Sequence, residues 1–330
     1  MTDFANFADA LAAAPGQKNL LVGNGLSIAF AETFRYAQLF DAADFSRRDP
    51  HVADVFNRLK THDFETVAAA LQVAAEISQS YGATDAAEHM KKSVVGLKDA
   101  LIEAVNLTHP ADRNCLSAEQ CSNFCDFVAP FLESSGKLFS LNYDALIYWA
   151  LLRRVDPRFR FADGFSASTL NQRKFEGDRC PLDVNVLFPH GALFIFERNG
   201  DAYKPKATRP LLEIITDQME EGDFPLFVSE GSCEQKLEAI RKSFYLNYCL
   251  EMVDRQKENF FVYGHSLELK SDGHILVKIA SNKNVKRLFA SFYDHKDDAL
   301  GKLHLLRDAA EREANELELH VYPAKSVACW

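Results

Sequence analysis

Residues 18–27 read KNLLVGNGLS, a short apolar run and a glycine pair that lead into a helix-like stretch from about Ile28. A strand, a tight glycine turn and a helix in this order are typical of a parallel α/β sheet. Gly23 and Gly25 permit close approach of backbone N–H groups to an anion, which the following helix N-terminus also favours. Ile28 stands where the dinucleotide-binding fingerprint has its third glycine. The motif therefore predicts either a phosphate-binding loop or a turn without a ligand.

Further apolar runs have the length and composition of buried strands. They are residues 137–141 (KLFSL), 184–188 (VNVLF), 225–231 (PLFVSEG), 259–267 (NFFVYGHSL) and 317–323 (LELHVYP), with another at 192–198 (ALFIFER). Helical patterns alternate with these runs, as in a parallel sheet that is covered on both faces. The sequence therefore predicts an α/β fold with a Rossmann-like, doubly wound and mostly parallel sheet.

The pattern changes between residues 50 and 135. Ala-rich segments such as DFETVAAALQVAAEISQSY carry apolar residues at helical spacing, and strand patterns are almost absent. We interpret residues 50–135 as a helical insertion, or subdomain, within a single Rossmann-type domain that spans residues 1–330.

Composition limits the kinds of partner. The chain has 330 residues and a net charge of −10, which disfavours direct binding of nucleic acid. It begins with Asp3 and Asp9 and without a Lys or Arg, unlike a secretory leader, and it has no long apolar run for a membrane span. Seven cysteines, an odd number, predict reduced thiols in the cytoplasm. Cys121 and Cys125 have no second close pair, so we predict no metal site.

Small and polar residues follow the predicted strands. The segments are GNGLS, NYD, PHG, SEGS and YGHS. In an open parallel sheet, ligands bind beyond the carboxyl ends of the strands, at the point where the strand order reverses. We therefore expect these segments to meet at one ligand site.

Three side chains in these segments are candidates for catalysis. His190 lies between Pro189 and Gly191, and its imidazole suits a general base near neutral pH, although a hydrogen-bonded structural histidine would fit as well. Asn142 and Asp144 flank Tyr143 after a strand, where an amide orients a hydroxyl group or a water molecule. The alternative is that either of them only caps the helix that follows.

The segment Gly264–Glu268 (GHSLE) supports a different interpretation of the function. It matches the G-x-S-x-G turn of α/β-hydrolases except at its last position, where Glu268 replaces the glycine that the sharp turn requires. Only 64 residues (330 − 266) follow Ser266 to supply an acid and a histidine. A serine hydrolase that uses Ser266 is therefore one hypothesis for function.

The ordered set GNGLS, LNYD, PHG and YGHS resembles the sirtuin-like superfamily. It is most similar to the bacterial branch that hydrolyses NAD in anti-phage defence and to an uncharacterised family related to it. The motifs span residues 20 to 267, and so the resemblance covers most of the chain.

The resemblance implies an NAD site, with NAD as the substrate. His190 would be the catalytic histidine, Asn142 would position the nicotinamide ribose or a water molecule, and Asp144 would line the nicotinamide pocket. The residues that would contact NAD elsewhere are Gly23, Asn24, Gly25, Ser27, Tyr143, Gly191, Gly264 and Ser266. Gly23–Ser27 would hold the pyrophosphate, and Gly264 and Ser266 would lie by the adenosine half.

Protein-deacylating sirtuins carry two C-x-x-C pairs for zinc after the catalytic histidine. The cysteines after His190 are Cys233, Cys249 and Cys329, so this zinc module is missing. The resemblance therefore implies an NAD hydrolase rather than a deacylase, without a metal, and acting in anti-phage defence. Because uncontrolled NAD hydrolysis would be toxic, we expect control by homo-oligomerisation or by a regulatory protein. The alternative is a non-catalytic sensor of NAD or of an ADP-ribose derivative.

Overall fold

The structure is a computed structural model. It describes residues 2–36, 42–62, 64–110, 112–153, 159–169, 171–206, 209–228 and 232–330.

A seven-stranded sheet forms the centre of the fold, and its described strands all pair in parallel. In spatial order the strands are β1 (Thr2–Asp3), β12 (Glu318–Pro323), β11 (Val285–Phe292), β10 (Glu258–Tyr263), β2 (Lys18–Val22), β3 (Leu138–Ser140) and β6 (Val186–Leu187). With helices on its faces, this sheet confirms the predicted Rossmann-like α/β fold. The side chains between sheet and helices are largely apolar, and Phe261 stacks on Phe289 with ring centroids 4.3 Å apart.

The strand order reverses between β2 and β10. From β2 the chain continues to β3 and β6 on one side, whereas from β10 it continues to β11 and β12 on the other. The loops that follow β2 and β10 therefore diverge at this point and leave a crevice at the carboxyl edge of the sheet. The two glycine motifs of the sequence, GNG and YGHS, occupy these loops.

Helices cover the sheet and build the segment between β2 and β3. They are α1 (Phe7–Ala12), α2 (Gly25–Phe30), α3 (Phe45–Arg48), α4 (Pro50–Leu59), α5 (Phe64–Ser80), α6 (Thr84–Thr108), α7 (Ala118–Glu133), α8 (Leu146–Leu152), α9 (Leu211–Glu220), α10 (Cys233–Lys242), α11 (Phe244–Glu251), α12 (Leu269–Ser281) and α13 (Lys296–Arg312). Helices α5 and α6 pack against each other, and α7 packs on β2 and β3. Among the described residues of 50–135 the structure has helices and no strand, as the periodicity predicts. None of the described helices is both long enough and apolar enough to cross a membrane.

A second, antiparallel sheet is formed by strands that lie both before and after β6 in the chain. Its strands in spatial order are β4 (Phe165–Ser168), β5 (Gln172–Phe175), β8 (Asp201–Pro205), β7 (Gly191–Arg198) and β9 (Pro225–Phe227). The strand predicted at 192–198 is confirmed as β7. The expectation that 225–231 belongs to the parallel sheet is wrong, because β9 pairs antiparallel with β7. Of the segment SEGS, residues 229–231 lie outside the described residues, and Ser232 caps α10.

Sequence patterns missed two further features. Strand β11 went unrecognised because Lys286 and Arg287 interrupt its apolar pattern. The periodicity of residues 233–256 (CEQKLEAIRKSFYLNYCLEMVDRQ) predicts one amphipathic helix, but the structure has two there, since Ser243 has extended backbone angles and caps the second. The first of these features matters for the site, because the residues after β11 form one of its walls.

Candidate active site

A cavity of about 1120 Å³ lies at the carboxyl ends of β2, β3 and β10, where the strand order reverses. The predicted site residues that line it are Gly23, Asn24, Gly25, Asn142, Tyr143, Asp144, His190, Gly264 and Ser266. The remaining two, Ser27 and Gly191, support it: Ser27 bonds to Asp144, and Gly191 follows His190 in the chain. Side chains from distant parts of the sequence thus meet at one crevice of a size suited to a small ligand.

The two glycine loops touch through their backbones. The amide of Gly25 donates to the carbonyl oxygen of Gly264 at 2.7 Å, and that of Gly23 donates to the carbonyl oxygen of Tyr263 at 3.0 Å. A Cβ atom on Gly25 would lie 2.6 Å from the Cα atom of Gly264, which itself has a φ of +63°. Both positions therefore require glycine. Since these two amides already have acceptors, other groups of the loop would have to contact a phosphate.

Ser27 links the predicted catalytic amide and carboxylate. Its hydroxyl group donates to Oδ2 of Asp144 at 2.5 Å and accepts from Nδ2 of Asn142 at 2.9 Å. The amide of Leu146, the first residue of α8, donates to Oδ1 of Asp144 at 2.9 Å, so Asp144 satisfies one free N–H group of this helix, although the N-cap position itself is Ala145 and has no side-chain cap. Nδ2 of Asn142 donates one of its two protons to Ser27, so Oδ1 and the second N–H group remain for a ligand.

A histidine that sequence reasoning missed lies next to this network. Nε2 of His109 accepts from the amide of Ala145 at 2.9 Å, and Nδ1 lies 2.8 Å from the carbonyl oxygen of Pro110, so Nδ1 carries the proton. Burial raises the pKa of Asp144, against the opposing effect of nearby His109, and burial lowers the pKa of His109. No sequence signal points to His109, because it follows the long helix α6 and no strand.

His190 lies where the chain passes from the parallel sheet to the antiparallel one. Gly191 has a φ of +70°, and a Cβ atom there would lie 2.0 Å from the carbonyl oxygen of Leu226, so only glycine fits behind the histidine. His190 is 6% exposed, and its Nε2 lies 2.8 Å from Nε2 of His274. Burial lowers the pKa of His190 well below its usual value, and His274 lowers it further. The imidazole is therefore neutral near pH 7, as a general base must be.

A charged group supports the two histidines. Oδ1 of Asp272 lies 2.8 Å from Nζ of Lys236, and Oδ2 lies 3.2 Å from Nε2 of His265. Nδ1 of His265 accepts from the amide of Leu267, so its Nε2 carries the proton that it donates to Asp272. Burial alone would raise the pKa of Asp272, but the hydrogen bond from His265 and the electrostatic effects of the nearby histidines and of Lys236 hold it well below its usual range. The sequence analysis did not predict these residues. Three of them, His265, Asp272 and His274, closely follow the end of strand β10, and this position indicates that they lie near the carboxyl edge of the sheet.

Among the described residues, one cluster could in principle hold a metal ion. It consists of His190, Asp272 and His274, whose ligand atoms all lie within 4.8 Å of one another. The fit is poor for two reasons. The cationic amine of Lys236 already contacts the carboxylate of Asp272. The two imidazole nitrogens are 2.8 Å apart, closer than the roughly 3.3 Å between ligands on a tetrahedral zinc ion. The arrangement favours proton transfer over a bound cation.

Another wall of the cavity holds the glycine loops in place. The hydroxyl group of Ser291, in β11, accepts from the amide of Gly264 at 3.0 Å. Nε1 of Trp330 donates to the carbonyl oxygen of Leu26 at 2.7 Å, and its ring stacks on Phe124 with centroids 5.0 Å apart. Ser291 thus holds the loop after β10, and Trp330 holds the backbone after β2.

We expect buried histidines to make the protein less stable as the pH falls from about 6.5 toward 4. Burial lowers the pKa of His274 to about 4, and it also lowers the pKa of His190 and of His109. In this range the unfolded chain binds more protons than the folded one, so the free energy of unfolding decreases as the pH falls. The raised pKa of Asp144 has the opposite effect, because here the folded chain binds the additional proton. This group therefore makes the dependence of the free energy of unfolding on pH less steep.

The midpoint of thermal unfolding, measured from pH 7 to pH 5, tests this expectation. His274→Gln should weaken the pH dependence, whereas His304→Gln, at an exposed position of α13, should leave it unchanged. An equal dependence in wild type and His274→Gln would contradict the assignment of His274 as a buried neutral group.

These features define a Rossmann-like α/β protein with a polar cavity at the switch point of its parallel sheet. Residues 20–330 match the family described as Domain of unknown function (DUF4917), and the chain belongs to that family. No curated protein matches it. A solved structure from "Structural Basis for the Mechanism and Regulation of Sir2 Enzymes" is similar over 92% of this chain and 95% of that chain, with 12% sequence identity and a TM-score of 0.38.

Proposed function

We propose that the protein hydrolyses NAD to ADP-ribose and nicotinamide. The observation that carries the proposal is the meeting of Asn142, Asp144 and a buried neutral His190 in one cavity at the switch point of the sheet. Such crevices bind nucleotides in Rossmann-like folds. The order of the four motifs, which resembles that of the sirtuin-like superfamily, supports NAD as the ligand.

The proposed chemistry needs a held ribose and one activated water molecule. The bond between C1′ of the ribose and the nicotinamide nitrogen breaks, and its electron pair leaves with nicotinamide. Water adds to C1′ of the oxocarbenium-like ribose, and His190 accepts the proton that the water loses. No metal is needed for this step, because nicotinamide leaves as a neutral molecule.

The hydrogen bonds behind the cavity wall give the other residues their proposed roles. Asp144 accepts the proton of the Ser27 hydroxyl group, which makes that oxygen the acceptor for Nδ2 of Asn142. The Asn142 amide is thereby oriented with Oδ1 available to a ribose hydroxyl group or to the attacking water. The Gly23–Ser27 loop would lie along the pyrophosphate, and Gly264 and Ser266 would lie by the adenosine half.

The direct test is incubation of the purified protein with NAD, with nicotinamide and ADP-ribose separated by chromatography. Asn142→Ala should lower turnover by about 10-fold or more, because it removes the group that orients the reactants. The matched control is Asn247→Ala, on α11. Among the described residues, the side-chain amide of Asn247 forms a hydrogen bond with Glu251 alone. Turnover in Asn142→Ala equal to that of wild type would contradict the proposed role of the amide.

The second candidate function, an NAD or ADP-ribose sensor, uses the same cavity without turnover. A thermal-shift titration separates the two, since a sensor is stabilised by NAD and releases no nicotinamide. The third candidate relies on Ser266, and labelling of Ser266 by a fluorophosphonate probe would support it. Among the described residues no histidine side chain hydrogen bonds to the Ser266 hydroxyl group, so a serine nucleophile would lack its base.

We further propose that the activity is a regulated effector function in bacterial anti-phage defence. Control would come from homo-oligomerisation or from a regulatory protein, because free NAD hydrolysis harms the host cell. Comparison of NAD turnover with oligomeric state, measured by size-exclusion chromatography with light scattering, tests this. Full activity of an isolated monomer would contradict the proposed control.

A further inference from the structure

The ring of His190 shares a hydrogen bond with a second buried ring. The Nε2 atoms of His190 and His274 are 2.8 Å apart, and the rings lie nearly parallel, with an interplanar angle of 27°. His274 is 8% exposed and belongs to α12, the helix after the YGHS loop. Two neutral imidazoles at this distance hold one proton between the facing nitrogens, so the protonation of one ring sets that of the other.

We propose that His274 is a positioning residue that accepts a hydrogen bond from Nε2–H of His190 and so leaves the lone pair of Nδ1 of His190 free to act as the base. The inference rests on the proposed NAD hydrolysis, because that reaction requires a free lone pair on His190. In the described part of the chain, His274 is the hydrogen-bond partner of the His190 ring. A proton on Nε2 of His190 therefore has its acceptor in His274.

The charge of Asp272 favours this placement of the proton. Its Oδ1 lies 4.0 Å from Nε2 of His190, and no ring nitrogen of His274 lies as close to the carboxylate. A negative charge stabilises the nearer N–H group, and it stabilises the imidazolium of His190 more strongly after a proton is taken up. Lys236 and His265 hold the carboxylate in position.

The buried Nδ1 atom of His274 does not reverse this assignment. It has no hydrogen-bond partner among the described residues. In the proposed arrangement it is an unpaired donor, and in the opposite arrangement it would be an unpaired acceptor, so its burial disfavours both. The position of Asp272 then decides between them.

Nitrogen-15 NMR of the histidine-labelled wild-type protein at pH 7 tests the proposal without any need for turnover. The expected result is a proton on Nε2 of His190 and none on Nδ1, with the signals assigned by comparison with His190→Gln. A proton on Nδ1 of His190 would overturn the proposal. This readout separates it from the proposed function, since a protein that shows the expected tautomer but no NAD turnover refutes only the latter.

Kinetics supply the second test. His274→Phe keeps an aromatic ring but removes the acceptor, and it should lower kcat about 10- to 100-fold with little change in KM for NAD. His274→Gln places an amide oxygen near the position of Nε2 and should recover most of the loss. Cys233→Ser, which alters a side chain beside the backbone of His274, is the control and should keep wild-type kinetics. Wild-type kcat in His274→Phe would overturn the positioning role.

Discussion

Replacing His190 with alanine is expected to lower the rate of NAD hydrolysis by about 10²- to 10⁴-fold, the usual contribution of a general base. The physical reason is that the substitution removes from the cavity the neutral imidazole that would accept the proton of the attacking water. The glycine loops that would hold NAD are formed by other strands, so binding of NAD should persist. Chromatography of the products gives the rate, and a thermal-shift titration gives the binding.

Two further variants keep this expectation falsifiable. His190→Gln retains a polar partner for His274 and a side chain of similar length, so it separates loss of the base from loss of the fold. It should show the same defect as His190→Ala. His304→Ala removes an exposed histidine of α13 and should keep full activity. Hydrolysis at the wild-type rate in a folded His190→Gln protein would exclude His190 as the base.

Gly264→Ala is expected to destabilise the protein by about 2–5 kcal/mol and to abolish stabilisation by NAD. About 1–2 kcal/mol comes from the left-handed backbone, because Gly264 has a φ of +63°. A further 1–3 kcal/mol, roughly, comes from overpacking, since the new Cβ atom would lie 2.7 Å from the amide nitrogen of Leu26. The clash is with backbone, which no side-chain rotation can relieve, so the β2 and β10 loops must separate.

Thermal unfolding with and without NAD measures both effects. The matched control is Gly301→Ala in the middle of α13, where a Cβ atom would meet nothing within 4 Å. Alanine is the better helix former, so this variant should gain about 0.5–1 kcal/mol. If Gly264→Ala unfolded at the temperature of wild type and still responded to NAD, the contact between the two loops would have no role in holding the site.

The sequence predicted part of the candidate site and missed the rest for a definable reason. Asn142, Asp144 and His190 were found because each follows a strand of the parallel sheet, whose carboxyl ends meet at one edge. His109 and Lys236 reach the same region from the end of α6 and from α10. A helical residue carries no signal of which strand it will face, because that depends on how the helix packs.

The alternatives for single residues were likewise decided by neighbours distant in sequence. Asp144 accepts from the amide of Leu146 at the start of α8 and also from the hydroxyl group of Ser27, so a contact with the helix and a place in the site are compatible. The strand at Pro225–Phe227 has an apolar composition that suits either sheet, and its pairing with β7 places it in the antiparallel one. In both cases the local sequence indicates the kind of environment, but not which residues the side chain or the strand contacts.

By itself the sequence determined the class of fold and predicted the edge of the sheet at which the candidate site lies. Apolar runs of strand length that alternate with helical periodicity have few stable arrangements, and glycine is needed wherever two loops meet backbone to backbone. Only the tertiary structure decided that β9 leaves the parallel sheet, that the glycine amides are already bound, and that His274 faces His190. These are contacts between residues far apart in the sequence, such as those that join Gly23 and Gly25 to the β10 loop, and they depend on the packing of the whole chain.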